Sequence, residues 1–454
     1  MNLIKNNSKN NRYKIIYLLF FFIFDHAELK AQQFNIVGCV APYSTRTMEV
    51  FQGNLIHCGF DTICNKNVEG IGIWNTSSWD KLGGLNTSSG GASKVFSIFK
   101  NQLYTGGDFY TIGGKTTNKI ARWDGQQWDS VGKGLDDQSN TESINTMAVY
   151  KNELYIAGLI RQVDGVTGYN HIAVWNGSNW RKIGGFLGSL PRVHCMAVYK
   201  NELYVGGNFA RAGFADAANI AKWDGQQWYS VGLNPNSIVQ SMVVDTINNL
   251  LYVAGDFNSI KDTVKCKVAS YDGTKWSVVG SSTIFPSGVL ALEMYHGYLY
   301  AAGISNSGLA TDVCLARWDG NVWEPILGPN NTITSLKTYK DELYIGGMFT
   351  KINNDSIPYL AGYYSPDSVT VGINPNIKKK QVLEVYPNPA ENTLYIKTEK
   401  SFKKYLIVDA QGKVLLELKN TNTKSVDISS LPKGAYLLKA IDTIGEEYVS
   451  KFVK

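Results

Sequence analysis

Histidine, cysteine and proline are scarce in this chain of 454 residues, with five, six and twelve copies. No His-Glu-x-x-His pair, Cys-x-x-Cys pair, P-loop or Gly-x-Ser-x-Gly elbow occurs. The short motifs that build zinc-hydrolase, thiol-redox, nucleotide and serine-hydrolase sites are therefore missing. Charge is also thin, at 18% of residues, and the net of +6 is unevenly spread. From Asn376 onward 14 lysines face 9 acids, and the first thirty-one residues add about +3, which leaves the middle near −2. A slightly acidic middle argues against nucleic acid as a partner. One apolar run stands out, Ile15–Phe24, behind the basic segment Asn10–Lys14. It is too short to span a bilayer and reads as the core of a signal peptide over residues 1–31, with Ala31 as the cleavage residue and no transmembrane span in the mature chain. Ile36-Val37-Gly38-Cys39 has the look of a lipid-attachment box but lies too far beyond that run.

What the chain has in quantity is glycine, 44 copies, and aromatic residues, 12%. They recur in phase. A Leu-Tyr pair falls at Leu103, Leu154, Leu203, Leu251, Leu299 and Leu343, with a worn copy at Leu55-Ile56. The spacing is about 48 residues, within the range of propeller blades. A second aromatic keeps step at Trp74, Trp123, Trp175, Trp223, Tyr271, Trp318 and Tyr363. Each copy reads as four short strands. In one of them these are Asn145–Tyr150, Glu153–Gly158, His171–Trp175 and Trp180–Gly184. Asp124-Gly125, Asn176-Gly177, Asp224-Gly225, Asp272-Gly273 and Asp319-Gly320 are hairpin corners, because these pairs accept the positive φ that two-residue turns need. The pairs Gly106-Gly107, Gly206-Gly207 and Gly346-Gly347 mark close backbone approach. Seven antiparallel four-stranded units suit radial closure, with the tryptophans as cement between them. The fold class expected is all-β: a seven-bladed β-propeller with four-stranded blades over residues 32–372, a polar linker at 373–381, and a small β-sandwich over 382–454.

These residues resemble the kelch-type propeller. They are closer still to secreted propellers with units of the form "LYVGG-F … IA-WDG–W–VG". The likeness covers about Gln32 to Gly372. Trp123 and Trp128 are five apart, tighter than the usual kelch spacing, and the loops lack the charged residues of many kelch repeats.

Gln33–Gly38 matches Gln127–Gly132, so it reads as an orphan fourth strand. It is expected to complete the last blade, whose own fourth segment, Asp367–Gly372, is poor. Strand alternation puts the short, uniform turns on one face and the long second-to-third and fourth-to-first loops on the other. Variable loops on a rigid scaffold are where binding sits. Tyr110, Arg161, Tyr169, Arg192 and Arg211 are the binding candidates on that face. Asp108 and Asp256 recur at one repeat position, which favours a turn role over a metal site. Asp-Gly-x-x-Trp resembles the sialidase Asp box but lacks a residue between Asp and Gly. No catalytic residue, metal ligand or cofactor is assigned. Cys58 and Cys64 are close enough to bridge, Cys266 and Cys314 occupy equivalent strands, and buried free thiols are the alternative.

The tail carries Tyr386-Pro387-Asn388-Pro389, then Leu431-Pro432-Lys433-Gly434-Ala435-Tyr436, then the basic end Lys451–Lys454. As a set these resemble the C-terminal sorting domain of the type IX secretion system. The resemblance implies export by the signal peptide, outer-membrane passage directed by the tail, the secretion machinery as a partner, and a secreted or surface location. The functional expectation is a non-catalytic binding protein for an extracellular glycan or protein. One alternative is a polysaccharide-active hydrolase with its site on the long-loop face, because propeller sites gather single residues from several blades. Another is a structural adhesion or surface-layer component.

Overall fold

The computed structural model describes residues 33–37, 45–365 and 381–454, apart from short breaks at 60–61, 64–65, 68–69, 76, 87–91, 136–140, 261–263, 282–283, 286, 306–312, 399, 409–413, 422 and 443–446. The signal segment, Ala31, Cys39, Cys64, Asp367–Gly372 and all but the last residue of the linker lie outside the described residues. The chain is all-β, and no helix among the described residues is long and apolar enough to cross a membrane.

Through residue 365 the strands form consecutive antiparallel meanders. The first sheet is Thr47–Phe51, Asn54–Cys58, Gly70–Trp74 and Trp79–Asn86, and the short strands Thr111–Ile112 and Lys115–Thr116 extend it beyond Trp79–Asn86. The second is Ser93–Phe99, Gln102–Gly107, Ile120–Trp123 and Trp128–Ser130. The third is Ser143–Tyr150, Glu153–Leu159, Ile172–Trp175 and Trp180–Arg181. The fourth is Arg192–Tyr199, Glu202–Asn208, Ile220–Trp223 and Trp228–Ser230. The fifth is Val239–Asp245, Leu250–Gly255, Val268–Tyr271 and Trp276–Val278. The sixth is Val289–Tyr295, Tyr298–Gly303, Leu315–Trp318 and Trp323–Pro325. The seventh has Ile333–Tyr339, Glu342–Gly347 and Leu360–Tyr364, and its fourth strand is Gln33–Ile36 from the N-terminal end. Gln33 pairs with Tyr364 and Ile36 with Ala361, as the likeness of Gln33–Gly38 to the other fourth strands predicts.

The first strand of each sheet packs on the first strand of the next, and that of the seventh packs on that of the first. Two recurring hydrogen bonds tie neighbouring sheets. A fourth-strand tryptophan donates its indole N–H to a main-chain oxygen at the end of the preceding sheet's fourth strand. Trp276 donates to Val231 at 2.8 Å, Trp323 to Val279 at 2.9 Å, and Trp79 to Val37 at 3.3 Å. Val37 therefore stands where Val231 and Val279 stand. At the opposite end, a tyrosine closing the first strand donates its hydroxyl to the next sheet's tight turn. Tyr150 reaches Asn201 at 2.9 Å, Tyr199 reaches Asn249 at 2.7 Å, and Tyr339 of the seventh sheet reaches Gly53 of the first at 2.9 Å. Tryptophan and tyrosine serve here because each buries a large apolar body yet keeps one polar atom to pair.

The long second-to-third loops are more uniform than their sequences suggest. Among the described residues five contain a small two-stranded hairpin: Thr62–Ile63 with Lys66–Asn67, Thr111–Ile112 with Lys115–Thr116, Gln162–Val163 with Val166–Thr167, Arg211–Ala212 with Ala215–Asp216, and Ser259–Ile260 with Val264–Lys265. Gly213 turns one of them at φ +55°, and a Cβ there would lie 2.9 Å from the Trp228 ring. The hairpin thus folds back onto the fourth-strand tryptophan.

A charged cluster sits on the first strands of the sixth, seventh and first sheets. Lys337 Nζ lies 2.6 Å from Glu49 Oε1, and Glu293 Oε1 accepts the Thr338 amide at 3.0 Å. Burial pushes the Glu293 carboxyl up, and Lys337 with the Thr338 amide pulls it back only in part. Burial works against the Lys337 ammonium, but Glu49 and Glu293 more than offset it and raise its pKa. A carboxyl raised in the folded state holds its proton more tightly there than in the unfolded chain. Its penalty is absent below the unfolded pKa of about 4.3 and complete once pH has passed the folded value. Glu293→Gln is therefore expected to raise the melting temperature at pH 7.5 and to bring no gain at pH 3. A fall at pH 7.5 would mean that attraction to Lys337 outweighs burial.

Cys58, Cys195 and Cys266 are buried free thiols. A Cys266–Cys314 bridge is thereby excluded, and burial pushes the Cys58 thiol up to about 12 and Cys266 to about 11. In the tail, the five-stranded sheet Gln381–Val382, Glu447–Val453, Ala435–Asp442, Phe402–Val408 and Val414–Thr421 faces the three-stranded sheet Glu384–Tyr386, Thr393–Lys397 and Ser425–Asp427. Leu394, Ile396, Ile407, Val426, Leu438 and Phe452 form one core between them.

Candidate functional site

In the second to seventh sheets the pairing of first and second strands slips by one residue at the same place. The slips fall between Ser93 and Val95, Ile144 and Thr146, Val193 and Cys195, Val239 and Ser241, Val289 and Ala291, and Ile333 and Ser335. Each is a β-bulge, which re-aims one side chain. The extra residues are Lys94, Asn145, His194, Gln240, Leu290 and Thr334. The residue before each bulge is fully buried and faces the glycine that closes the second strand. A Cβ on that glycine would strike the bulged strand's backbone. On Gly107 it would sit 1.9 Å from the Ala92 oxygen, on Gly207 2.1 Å from that of Arg192, and on Gly347 2.2 Å from that of Thr332. The glycine is thus the counterpart of the bulge. Gly207→Ala is expected to cost about 1–3 kcal/mol through this clash, seen as a lower melting temperature; an unchanged melt would mean that the bulge relaxes freely.

Four of these bulged residues, Lys94, Asn145, His194 and Gln240, come from adjacent sheets and line a cavity of about 430 Å³. It opens on the long-loop face, since Asp108 and Leu159 at second-strand ends and Thr141 and Glu142 before a first strand complete its wall, with Arg192 beside His194. The wall is polar, and most of its polar groups are held. Asn145 donates to the Val193 oxygen at 3.1 Å and accepts from the Ser143 hydroxyl at 3.1 Å. Gln240 donates to Asp256 Oδ2 at 2.9 Å. Glu142 Oε1 accepts the amides of Arg161 at 2.8 Å and Gln162 at 3.2 Å. Asp108 accepts the Ala92 amide at 2.5 Å and pairs with Lys94 at 3.0 Å. Burial raises the Asp108 carboxyl, but the Ala92 amide, Lys94 and Arg46 together bring it below its ordinary value. Burial lowers His194; Arg192 and Lys94 lower it further, and Asp256 opposes them. Burial and the two cations thus favour the neutral imidazole.

Of the loop-face candidates, Arg192 lines this cavity and Arg161 lies at its edge, donating to the Thr141 hydroxyl at 3.0 Å. Arg211 is exposed but engaged with Asp216 in its own hairpin at 2.6 Å. Tyr110 is half-buried under the Lys119 ammonium, 3.7 Å from its ring centre. Tyr169, expected on the surface, is 4% exposed, because its side chain joins the core cluster that holds Ile160, Val163 and Trp175. Asp108 and Asp256 tie loop to first strand, a local structural role. No group of three or more His, Cys, Asp or Glu capable of holding a metal occurs among the described residues. Lys94, Asn145, His194 and Gln240 escaped the sequence reading. Their signal is the small residue and glycine ending each second strand, which marks where the opposite strand bulges.

Residues 384–454 match the family model described as the secretion system C-terminal sorting domain. The chain therefore carries the tail that marks export by type IX secretion to the cell surface or beyond, and that implies interaction with the secretion machinery. No curated protein matches the chain. Among solved structures it is similar to the extracellular domain of the hybrid two component system BT3049 from B. thetaiotaomicron, with TM-score 0.49, 11% identity, and 93% of this chain and 57% of that one covered. It is also similar to the corresponding domain of BT4673 from the same organism, with TM-score 0.49, 11% identity, and 92% and 53% covered. The chain spans little more than half the length of both. The designed protein Ika8 matches with TM-score 0.40 and 11% identity, covering 92% of this chain and all of that one.

Proposed function

We propose that residues 32–372 form a seven-bladed β-propeller, kelch-like in its glycine and tryptophan signature, closed by the N-terminal strand. In this reading it is a secreted or surface-held, non-catalytic binding module, with its ligand seat at the channel mouth on the long-loop face. The closure rests on the packing of the seventh sheet against the first and on the Trp79–Val37 and Tyr339–Gly53 bonds. The binding assignment rests on one observation: a bulge repeated in one register aims unlike side chains, four of them into one cavity. A constant backbone with varied side chains is how a repeat scaffold carries recognition.

The hydrolase alternative needs two carboxyls free to work across the site. Those at this cavity, Asp108 and Glu142, are held by Lys94 and by backbone amides. The test is a glycan array of the mature chain run beside polysaccharide hydrolysis assays. Saturable binding without turnover, lost in Asn145→Ala with Gln240→Ala, is expected. Turnover would overturn the non-catalytic reading, and binding untouched by the double variant would move the site elsewhere.

A further inference from the structure

We propose that the cavity takes a carboxylated sugar, its carboxylate seated against Arg192; this rests on the binding reading above. The first argument is the state of the charges. Asp108 is satisfied by Lys94 and a backbone amide, Glu142 engages the amides of the Arg161 loop, and Asp256 takes the Gln240 amide. Arg192 is exposed and makes no ion pair among the described residues. A guanidinium is a planar fork of donors that matches a carboxylate, and one left at a cavity wall is a ready anion seat.

The second argument concerns which anion. A single uncommitted guanidinium near Asp108 and Glu142 suits one negative charge better than the two of a phosphate monoester. The third concerns the rest of the ligand. Asn145 and Gln240 are held in place by their own hydrogen bonds, which pre-orients their remaining donors and acceptors. His194 lines the cavity, and its imidazole in the neutral form offers a donor on one nitrogen and an acceptor on the other. With the Thr141 hydroxyl at the wall, this set suits a ligand dense in hydroxyls. The volume, about 430 Å³, is at the small end for ligand pockets, the scale of a mono- or disaccharide. The lining holds no Phe, Tyr or Trp ring, so a neutral sugar lacks the usual stacking platform and the carboxylate must supply most of the discrimination.

The experiment is titration calorimetry on the full mature chain with four probes: a glucuronate-terminated disaccharide, its methyl ester, inorganic phosphate, and a short acidic peptide. The acid is expected to bind at least about tenfold more tightly than the ester, the order that one charge-assisted pair carries. Arg192→Ala is expected to remove that preference with an unchanged melting temperature, since the side chain is exposed, and Arg192→Lys to restore part of it. Equal binding of acid and ester, or a preference that survives Arg192→Ala, would overturn the carboxylate seat while leaving a neutral-glycan module standing. Tighter binding of peptide or phosphate than of the sugar acid would overturn the ligand class. If no probe binds and the glycan array is also silent, the binding reading itself falls.

Discussion

A chain ending at residue 380 is expected to disappear almost completely from the cell surface and the medium and to collect behind the outer membrane. The tail, residues 384–454, matches the secretion system C-terminal sorting domain model. It has a core of its own, so its loss should leave the remaining sheets folded. Its three motifs lie far apart in sequence but meet in space. Asn388 Oδ1 accepts the Val453 amide at 2.9 Å, and the Ala390 amide donates to the Val453 oxygen at 2.7 Å. Gly434 and Lys454 exchange backbone hydrogen bonds at 3.0 and 2.9 Å, while Lys454 Nζ reaches the Ser429 oxygen at 2.7 Å and Tyr436 donates to the Pro432 oxygen at 2.6 Å. The Tyr-Pro-Asn-Pro segment, the Leu-Pro-Lys-Gly-Ala-Tyr segment and the basic end therefore hold one another around the last strand. Immunoblots of periplasm, surface and medium give the readout. Undiminished protein in the medium would mean that the tail is not the export determinant.

Deletion of residues 32–38 is expected to lower stability by about 3–5 kcal/mol, the cost of stripping a large apolar contact together with its hydrogen bonds. At roughly 2–4 °C per kcal/mol that is a fall of order 10 °C. The strand pairs along Leu360–Tyr364, and Phe34 packs against Tyr363 at 5.1 Å between ring centres. Asn35 donates to Glu342 at 3.1 Å, and Val37 receives the Trp79 indole from the first sheet. Removal would bare a sheet edge, expose Tyr363 and take away the Val37 oxygen that accepts the Trp79 N–H, all at once. Scanning calorimetry tests the size of the effect. Adding the excised strand as a peptide should recover part of the loss, because an open edge accepts a strand in trans. An unchanged melt would show that the edge is covered by other residues.

Much of this architecture was legible from periodicity. Leu-Tyr and Trp anchors held in phase identify strands and their order, because a buried strand demands apolar residues at period two and a tight hairpin demands Asp-Gly or Asn-Gly. The orphan Gln33–Gly38 announced its place by resembling strands already assigned. The tail motifs were readable because cooperating residues recur as fixed words. The loop face was readable too, since alternating strand direction sorts turns by length.

The cavity was not legible. Lys94, Asn145, His194 and Gln240 look like single polar residues inside apolar strands about 48 positions apart. The glycine ending each second strand marks where the opposite strand bulges, but nothing local tells which bulged side chains will share one cavity. The buried fate of Tyr169 and the hairpins inside the long loops were hidden for the same reason: both depend on what packs against them. The sequence by itself determined the strands, their order, the turn positions and the address on the tail, each set by forces acting over a few residues. Tertiary structure alone decided which polar side chains meet, because a bulge aims a side chain only once its neighbouring sheet is in place, and four sheets must come together before one cavity exists.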